Sequence, residues 1–329
     1  MPKAIKVGDI VANSCERKFG FFKMGEDINI VEVPLAIING CKEGPTLCLT
    51  AGTHGCEYAG IAAVVRVCSN ISPTELSGKI IAVPVVNTPG FRQRTSYVNP
   101  VDKLNIAEVY PGKPEGSLSQ IIAHTILEEV ITKADYYIDC HSGDVDERLI
   151  ENTYYYRCGN EKVDNASYAL CRAFGFKHIV LVNDVPAYPH FKEVCRKGIP
   201  MIQSECGGLG ILKESDIANY VKGITNVMKF LHMIDGEPSM QVEQKIVTRE
   251  FYVKVANTGI FYPRVDLGEN VRKGQVVGEV GNLQGETVEK LLATQDGVIR
   301  KMYTRHVVNP GEIVMVGYVS PKHAPQLEG

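Results

Sequence analysis

The sequence predicts an α/β protein: a mixed β-sheet domain with helices on both faces, followed by a small all-β domain. Over ~230 residues, short apolar runs alternate with amphipathic helical patterns, the signature of a sheet covered on both sides. From about residue 248 the helical periodicity stops, and short β segments are punctuated by Gly259, Gly268, Gly274, Gly278, Gly281, Gly285, Gly297 and Gly311. The 329 residues also exceed one domain of ~150 residues. The expected division is 1–236 for the first domain, 237–247 for a polar linker and 248–329 for the β domain.

Taken in order, residues 4–12 and 19–40 alternate apolar and polar positions around Gly and Asp-Ile-Asn breaks, which reads as an antiparallel β opening. Gly44-Pro45 turns the chain into an apolar strand over Thr46–Ala51, and a helix follows over Tyr58–Ser69. Lys79–Asn87 is a second strand, ended by Thr-Pro-Gly-Phe. Residues 88–116 lack an apolar period yet carry Arg92, Arg94, Asp102 and Asn105. Long loops in compact domains are usually functional. Ser117 and Gln120 are spaced as a capping box for the next helix. Strands are then expected at 135–141, 153–158, 178–182 and 199–205, and helices at 163–174, 190–197 and 214–233.

Composition excludes several function classes. Hydrophobic residues make up 44% and charged residues 22%, with a net charge of -3, so no basic surplus or Lys/Arg block points to nucleic acid. No signal-peptide core opens the chain, and no apolar run nears the ~18 residues of a membrane span. Of the ten cysteines, Cys48, Cys68, Cys140 and Cys171 lie in apolar patterns where a reduced thiol acts as a small hydrophobe. A cytoplasmic protein is expected.

The chemistry gathers at strand ends. In Gly-Thr-His-Gly-Cys-Glu (52–57) an apolar strand gives way to His54 and Glu57, three residues apart. Zinc takes imidazole nitrogen and carboxylate oxygen, and a catalytic site uses three protein ligands with a fourth position for water. The third ligand is expected from His141, which closes the apolar strand in Ile-Asp-Cys-His-Ser-Gly (138–143). Glu205 stands where another apolar strand meets Cys-Gly-Gly, in Gln-Ser-Glu-Cys-Gly-Gly (203–208).

These three segments, in this order and with Tyr-Pro-Gly at 110–112, resemble the succinylglutamate desuccinylase/aspartoacylase family of zinc carboxypeptidase-like deacylases. The resemblance covers about residues 40–320. It implies one Zn²⁺ held by His54, Glu57 and His141, with Glu205 as the catalytic carboxylate acting on an amide in a small N-acyl amino acid or amine. Arg94 aligns with the family's oxyanion-stabilising arginine in the pattern Phe91, Arg94, Pro100, Asp102, with Arg92 as the substitute. Asn105 matches a substrate-gripping asparagine, but the following residue, an arginine in the relatives, is Ile106 here. Either another cation serves (Lys103, Arg148 or Arg157) or the substrate is neutral at that end. Two further readings stay open: a metallopeptidase acting on a short or modified peptide, and a zinc-containing binding protein without turnover. The β tail resembles lipoyl and biotinyl carriers, yet its hairpin tip at 281–286 has no lysine. It is therefore expected to gate the site or mediate assembly into a homo-oligomer.

Overall fold

The computed structural model describes residues 2–25, 30–182, 189–239 and 243–319; the expected break at 27–29 and part of the expected linker lie outside them. The chain divides into two compact units, 1–145 with 151–245, and 146–150 with 246–329.

The first unit begins with a hairpin of β1 (Ile5–Val7) and β2 (Ile10–Ala12). Its remaining elements are β3 (Glu16–Met24), β4 (Val31–Asn39), β5 (Lys42–Ala51), α1 (Tyr58–Asn70), β6 (Ser77–Val83), α2 (Thr88–Gln93), α3 (Leu118–Glu129) and β7 (Tyr136–His141). The chain then supplies β8 (Glu147–Leu149) to the second unit. It returns as β9 (Asn152–Tyr156), α4 (Glu161–Phe174), β10 (His178–Val182), α5 (Pro189–Arg196), β11 (Met201–Glu205), α6 (Glu214–Phe230) and β12 (Lys245–Val247). One nine-stranded sheet runs in the order β12-β10-β9-β11-β7-β5-β6-β4-β3. The central strands β6, β5, β7 and β11 are parallel neighbours. β9 runs antiparallel to β11, and β4 antiparallel to β6.

Side chains on a strand alternate between faces, and here the two faces differ in chemistry. Leu47, Leu49, Ala51, Ile138, Cys140 and Ile202 point into an apolar core with residues of α1, α4 and α6, among them Val64, Leu170, Phe174, Tyr220 and Ile224. The registers Thr50↔Asp139, Gln203↔Asp139 and Glu205↔His141 put the intervening polar residues together on the opposite face. The loop expected over 88–116 is partly ordered: α2 is capped by Asn87, and a 3₁₀ turn spans Ile106–Glu108. Ser117 N–H donates to Gln120 Oε1 at 3.1 Å at the start of α3.

Two features add to the reading from sequence. Part of the linker at 237–247 packs on the first unit: Ser239 exchanges hydrogen bonds with Asn226 (2.9 and 3.1 Å), and Lys245 N–H donates to the Lys177 carbonyl at 2.7 Å. Backbone polar groups that find such partners do not remain a free tether. Cys15 and Cys41 form a disulfide, since Cys15 N–H donates to the Gly40 carbonyl (3.3 Å) and lies beside its partner; the other eight cysteines are free.

The second unit adds β13 (Glu250–Lys254), β14 (Gly259–Pro263), β15 (Asn270–Val271), β16 (Val276–Gly281), β17 (Thr287–Leu292), β18 (Gly297–Tyr303), β19 (Val307–Val308) and β20 (Ile313–Val319). One sheet is ordered β13-β20-β18-β15 with β8 on β18, the other β17-β16-β14-β19. Phe251, Phe261, Val277, Val280, Ile299 and Met315 fill the core of this unit. Among the described residues no helix is long and apolar enough to cross a membrane.

Candidate metal centre

β5 ends at Ala51, and the chain turns at Gly52, whose φ of +61° favours glycine. The turn presents His54 and reaches Glu57, the residue that precedes the first turn of α1. Close approach of α1 to β7 depends on Gly60, where a Cβ would lie 2.9 Å from the Cys140 carbonyl oxygen. That contact sets Glu57 beside the end of β7, where Ser142 N–H donates to Glu57 Oε2 at 3.0 Å.

The structure brings His54, Glu57 and His141 together. His54 Nδ1 lies 2.7 Å from Glu57 Oε1, and His141 Nδ1 lies 3.0 Å from Glu57 Oε2. One ligand atom from each residue falls within 4.8 Å of the others, and this group can hold a metal ion. All three residues are buried. The outer nitrogens are occupied too: His54 Nε2 is 3.2 Å from Asn105 Oδ1, and His141 Nε2 is 2.9 Å from Asp139 Oδ2. An oxygen at Nε2 favours the tautomer whose Nδ1 lone pair faces inward, the form a metal requires. Two imidazoles and a carboxylate match the donor set of catalytic zinc, so the residues fit the ion that the sequence suggests.

Without metal the three groups shift one another's proton affinity. Burial pushes the Glu57 carboxyl up, but His54 and His141 outweigh it and pull the pKa down to about 2. Burial disfavours the charged imidazoles, yet Glu57 raises His54, while Asp139 and Glu57 raise His141 well above the ordinary value. The raised histidines give stability that is complete below their ordinary 6.5 and lost as pH rises through the folded values. The depressed Glu57 gives stability complete above its ordinary 4.5 and lost as pH falls toward 2. Metal-free protein should therefore draw most stability from this group between pH 4.5 and 6.5. Added zinc, replacing the protons, should extend that plateau upward. Melting curves across pH with chelator and with zinc check this; a metal-free midpoint that climbs steadily through neutrality would contradict it.

Glu205 closes β11 directly beside His141 in the parallel register, and Gln203 Nε2 donates to its Oε1 at 3.1 Å. The two arginines are placed less centrally. Arg92 is an exposed residue of the last turn of α2, and Arg94 is its exposed, left-handed C-cap (φ 55°). The charge of Arg94 nevertheless reaches Cys56 and Tyr58, on either side of Glu57, and works to lower both pKa values against burial.

Asn105 faces the metal centre from the loop before the 3₁₀ turn. Its Oδ1 accepts from Ala107 N–H (3.0 Å) as well as facing His54, and its Nδ2 donates to Glu108 Oε1 (3.1 Å). Ile106 is fully buried and fills core where an arginine would need solvent or a partner. Of the substitute cations, Arg148 pairs with Asp266 (3.0 Å) within the second unit, while Lys103 and Arg157 are exposed.

Sequence reasoning misses three residues here. Asp139 backs His141 and was signalled by its spacing of two, which puts both on one strand face. Tyr97, left-handed at φ 55°, sets its ring edge-on to His54 with centroids 5.2 Å apart. Asp144 is buried and accepts from Tyr97 N–H at 2.9 Å; burial raises its carboxyl, as does the charge of Glu57. No spacing pattern marks the last two.

The turn also tolerates little added volume. A Cβ on Gly55 would run into the backbone of Gly90 and Phe91. Gly55→Ala should cost about 1–3 kcal/mol, read from denaturant unfolding, and weaken metal binding in the same protein.

Comparison with known proteins gives the family of the chain. A family model described as the succinylglutamate desuccinylase/aspartoacylase catalytic domain matches residues 43–231. N-alpha-acetyl-L-2,4-diaminobutyric acid deacetylase of Halomonas elongata is 28% identical over 295 residues, covering 87% of this chain and 85% of the relative. The product-bound structure of the ectoine utilization protein EutE (DoeB) from Ruegeria pomeroyi superposes with a TM-score of 0.86 at 26% identity, over 92% of this chain and 95% of that one. A succinylglutamate desuccinylase/aspartoacylase from Rhodobacter sphaeroides gives 0.82 at 28% identity, over 92% and 94%. The family model spans more than half of the sequence, and the chain belongs to the succinylglutamate desuccinylase/aspartoacylase family.

Proposed function

We propose that the protein is a zinc-dependent deacylase that hydrolyses the amide bond of a small N-acyl amino acid or N-acyl amine. The observation that carries this reading is the His54, Glu57 and His141 group with Glu205 paired in register beside it. The named activity of the Halomonas elongata relative, removal of an acetyl group from an amino acid, supports the reaction class. Bound by His54, Glu57 and His141, zinc supplies Lewis acidity that makes water nucleophilic at neutral pH and polarises an acyl carbonyl.

The chain's own residues do the rest. Glu205 takes a proton from the attacking water at its carboxylate and delivers it to the leaving nitrogen, so that the departing amine is neutral. To Arg94, the αL residue that ends α2, we assign the oxygen on which negative charge develops, because its charge reaches Cys56 and Tyr58 beside Glu57. Asn105 holds the outer nitrogen of His54, and Asp139 that of His141, fixing both rings before substrate arrives.

The test is a panel of N-acetyl and N-succinyl amino acids, N-acyl diamines and dipeptides, assayed on purified protein with its metal content measured. Turnover of an N-acyl compound, lost with a chelator and restored by zinc, is expected. Preferential cleavage of dipeptides moves the reading to a metallopeptidase. Zinc bound at one per chain with no turnover of any compound moves it to a binding protein.

A further inference from the structure

Behind the metal centre the site face of the sheet carries a closed ring of polar side chains, of which the proposed reaction uses only Asp139. Asp139 is fully buried, and three groups converge on it. His141 Nε2 lies 2.9 Å and His190 Nδ1 3.4 Å from its Oδ2, and Thr50 Oγ1 donates to its Oδ1 at 2.6 Å. Thr50 Oγ1 is also 2.6 Å from the Tyr137 hydroxyl, which in turn lies 3.1 Å from His190 Nε2. Thr50, Tyr137, His190 and Asp139 thus form a circuit in which each member meets the next.

His190 reaches this circuit from another element. It is 4% exposed on α5, where Phe191, Val194 and Cys195 are buried beside it. The Tyr110 ring packs on its imidazole with centroids 4.4 Å apart. Tyr110 follows the 3₁₀ turn whose cap, Asn105, faces the other histidine ligand. A buried histidine with both nitrogens so placed costs more than an apolar residue unless the contacts are used.

We infer that His190 is a positioning residue for the metal centre, acting on His141 through Asp139. Metal-ligating histidines are oriented by the group at their other nitrogen, and that group needs its own support to hold direction. The Asp139 carboxylate turns about one side-chain bond. Thr50 on one oxygen and His190 on the other stop that rotation, so the line from Oδ2 to His141 Nε2 keeps Nδ1 aimed at the Glu57 side. With an apolar residue at 190, Oδ2 keeps only His141 itself, so that oxygen loses its one anchor independent of the ring it orients.

The inference rests on the metal reading of His54, Glu57 and His141, and the experiment separates the two. Zinc affinity of metal-free protein is measured by competition with a chromophoric chelator for wild type, His190→Phe, His190→Gln and Thr50→Val. His190→Phe should weaken zinc binding by ~10-fold, within the range for groups that support a metal ligand. His190→Gln, which keeps an N–H in reach of Asp139, should recover part of that loss, and at saturating zinc KM should hold while kcat falls. Thr50→Val keeps the side-chain shape and removes only the hydroxyl, so it should weaken binding even if His190→Phe does not fold. Wild-type zinc affinity in the variants that fold overturns the inference alone. Wild-type protein that takes up no zinc overturns the metal reading and the inference with it.

Discussion

Glu205→Gln is expected to lower kcat by ~10²–10⁴-fold, the usual contribution of a positioned general base. The change keeps size and shape and removes only the capacity to carry a proton. Glu205 is placed by backbone pairing with β7 rather than by a flexible loop, so the substituted side chain should stay where it is. Zinc content should remain at one per chain and KM should move little, because no ligand atom has been altered. The measurement is steady-state kinetics beside metal analysis of the same preparation. A variant with kcat within a factor of two or three of wild type would assign the proton transfer elsewhere and remove Glu205 from the mechanism.

Loss of a ligand should be more damaging still. His141→Ala removes one of three donors and leaves Asp139 buried without the imidazole that faces it. Thr50 and His190 remain on the carboxylate, but losing one partner of a buried charge is still strongly destabilising. The variant should therefore lose zinc, activity and thermal stability together, and added zinc should restore none of them. His54→Ala tests the same centre at a gentler position, since its outer partner Asn105 is also engaged by Ala107 N–H. Zinc should again be lost, but the melting temperature should fall less than for His141→Ala. Equal destabilisation by both would indicate that the Asp139 circuit does not depend on His141.

The alternation of strands and helices is legible because each core strand is apolar over several residues and each helix has one apolar face. His54, Glu57, His141 and Glu205 are legible because polar residues stand out where such strands end. Asp139 shares a strand face with His141 through its spacing of two, but within an apolar strand an acid reads only as a buried polar residue until its partners are known. Asn105 can be singled out as a polar loop residue, but its orientation toward His54 depends on how residues 94–105 fold back. Pairing of Cys15 with Cys41 follows from the approach of two distant turns, which spacing does not report. The excursion at 146–150 escapes too, because three residues of strand are too few to show a period.

That excursion has a consequence for dissecting the protein. Just after His141 the chain crosses into the second unit, contributes Glu147–Leu149 to the edge of β18, and comes back. Three passages of backbone therefore tie the halves together, and the tail is not a cassette that can be clipped off at one peptide bond. Truncation after residue 245 would strand Glu147 without Lys301, its partner at 2.5 Å, and leave a raw edge a short distance in sequence from His141. Swapping tails between relatives would require exchanging both segments at once.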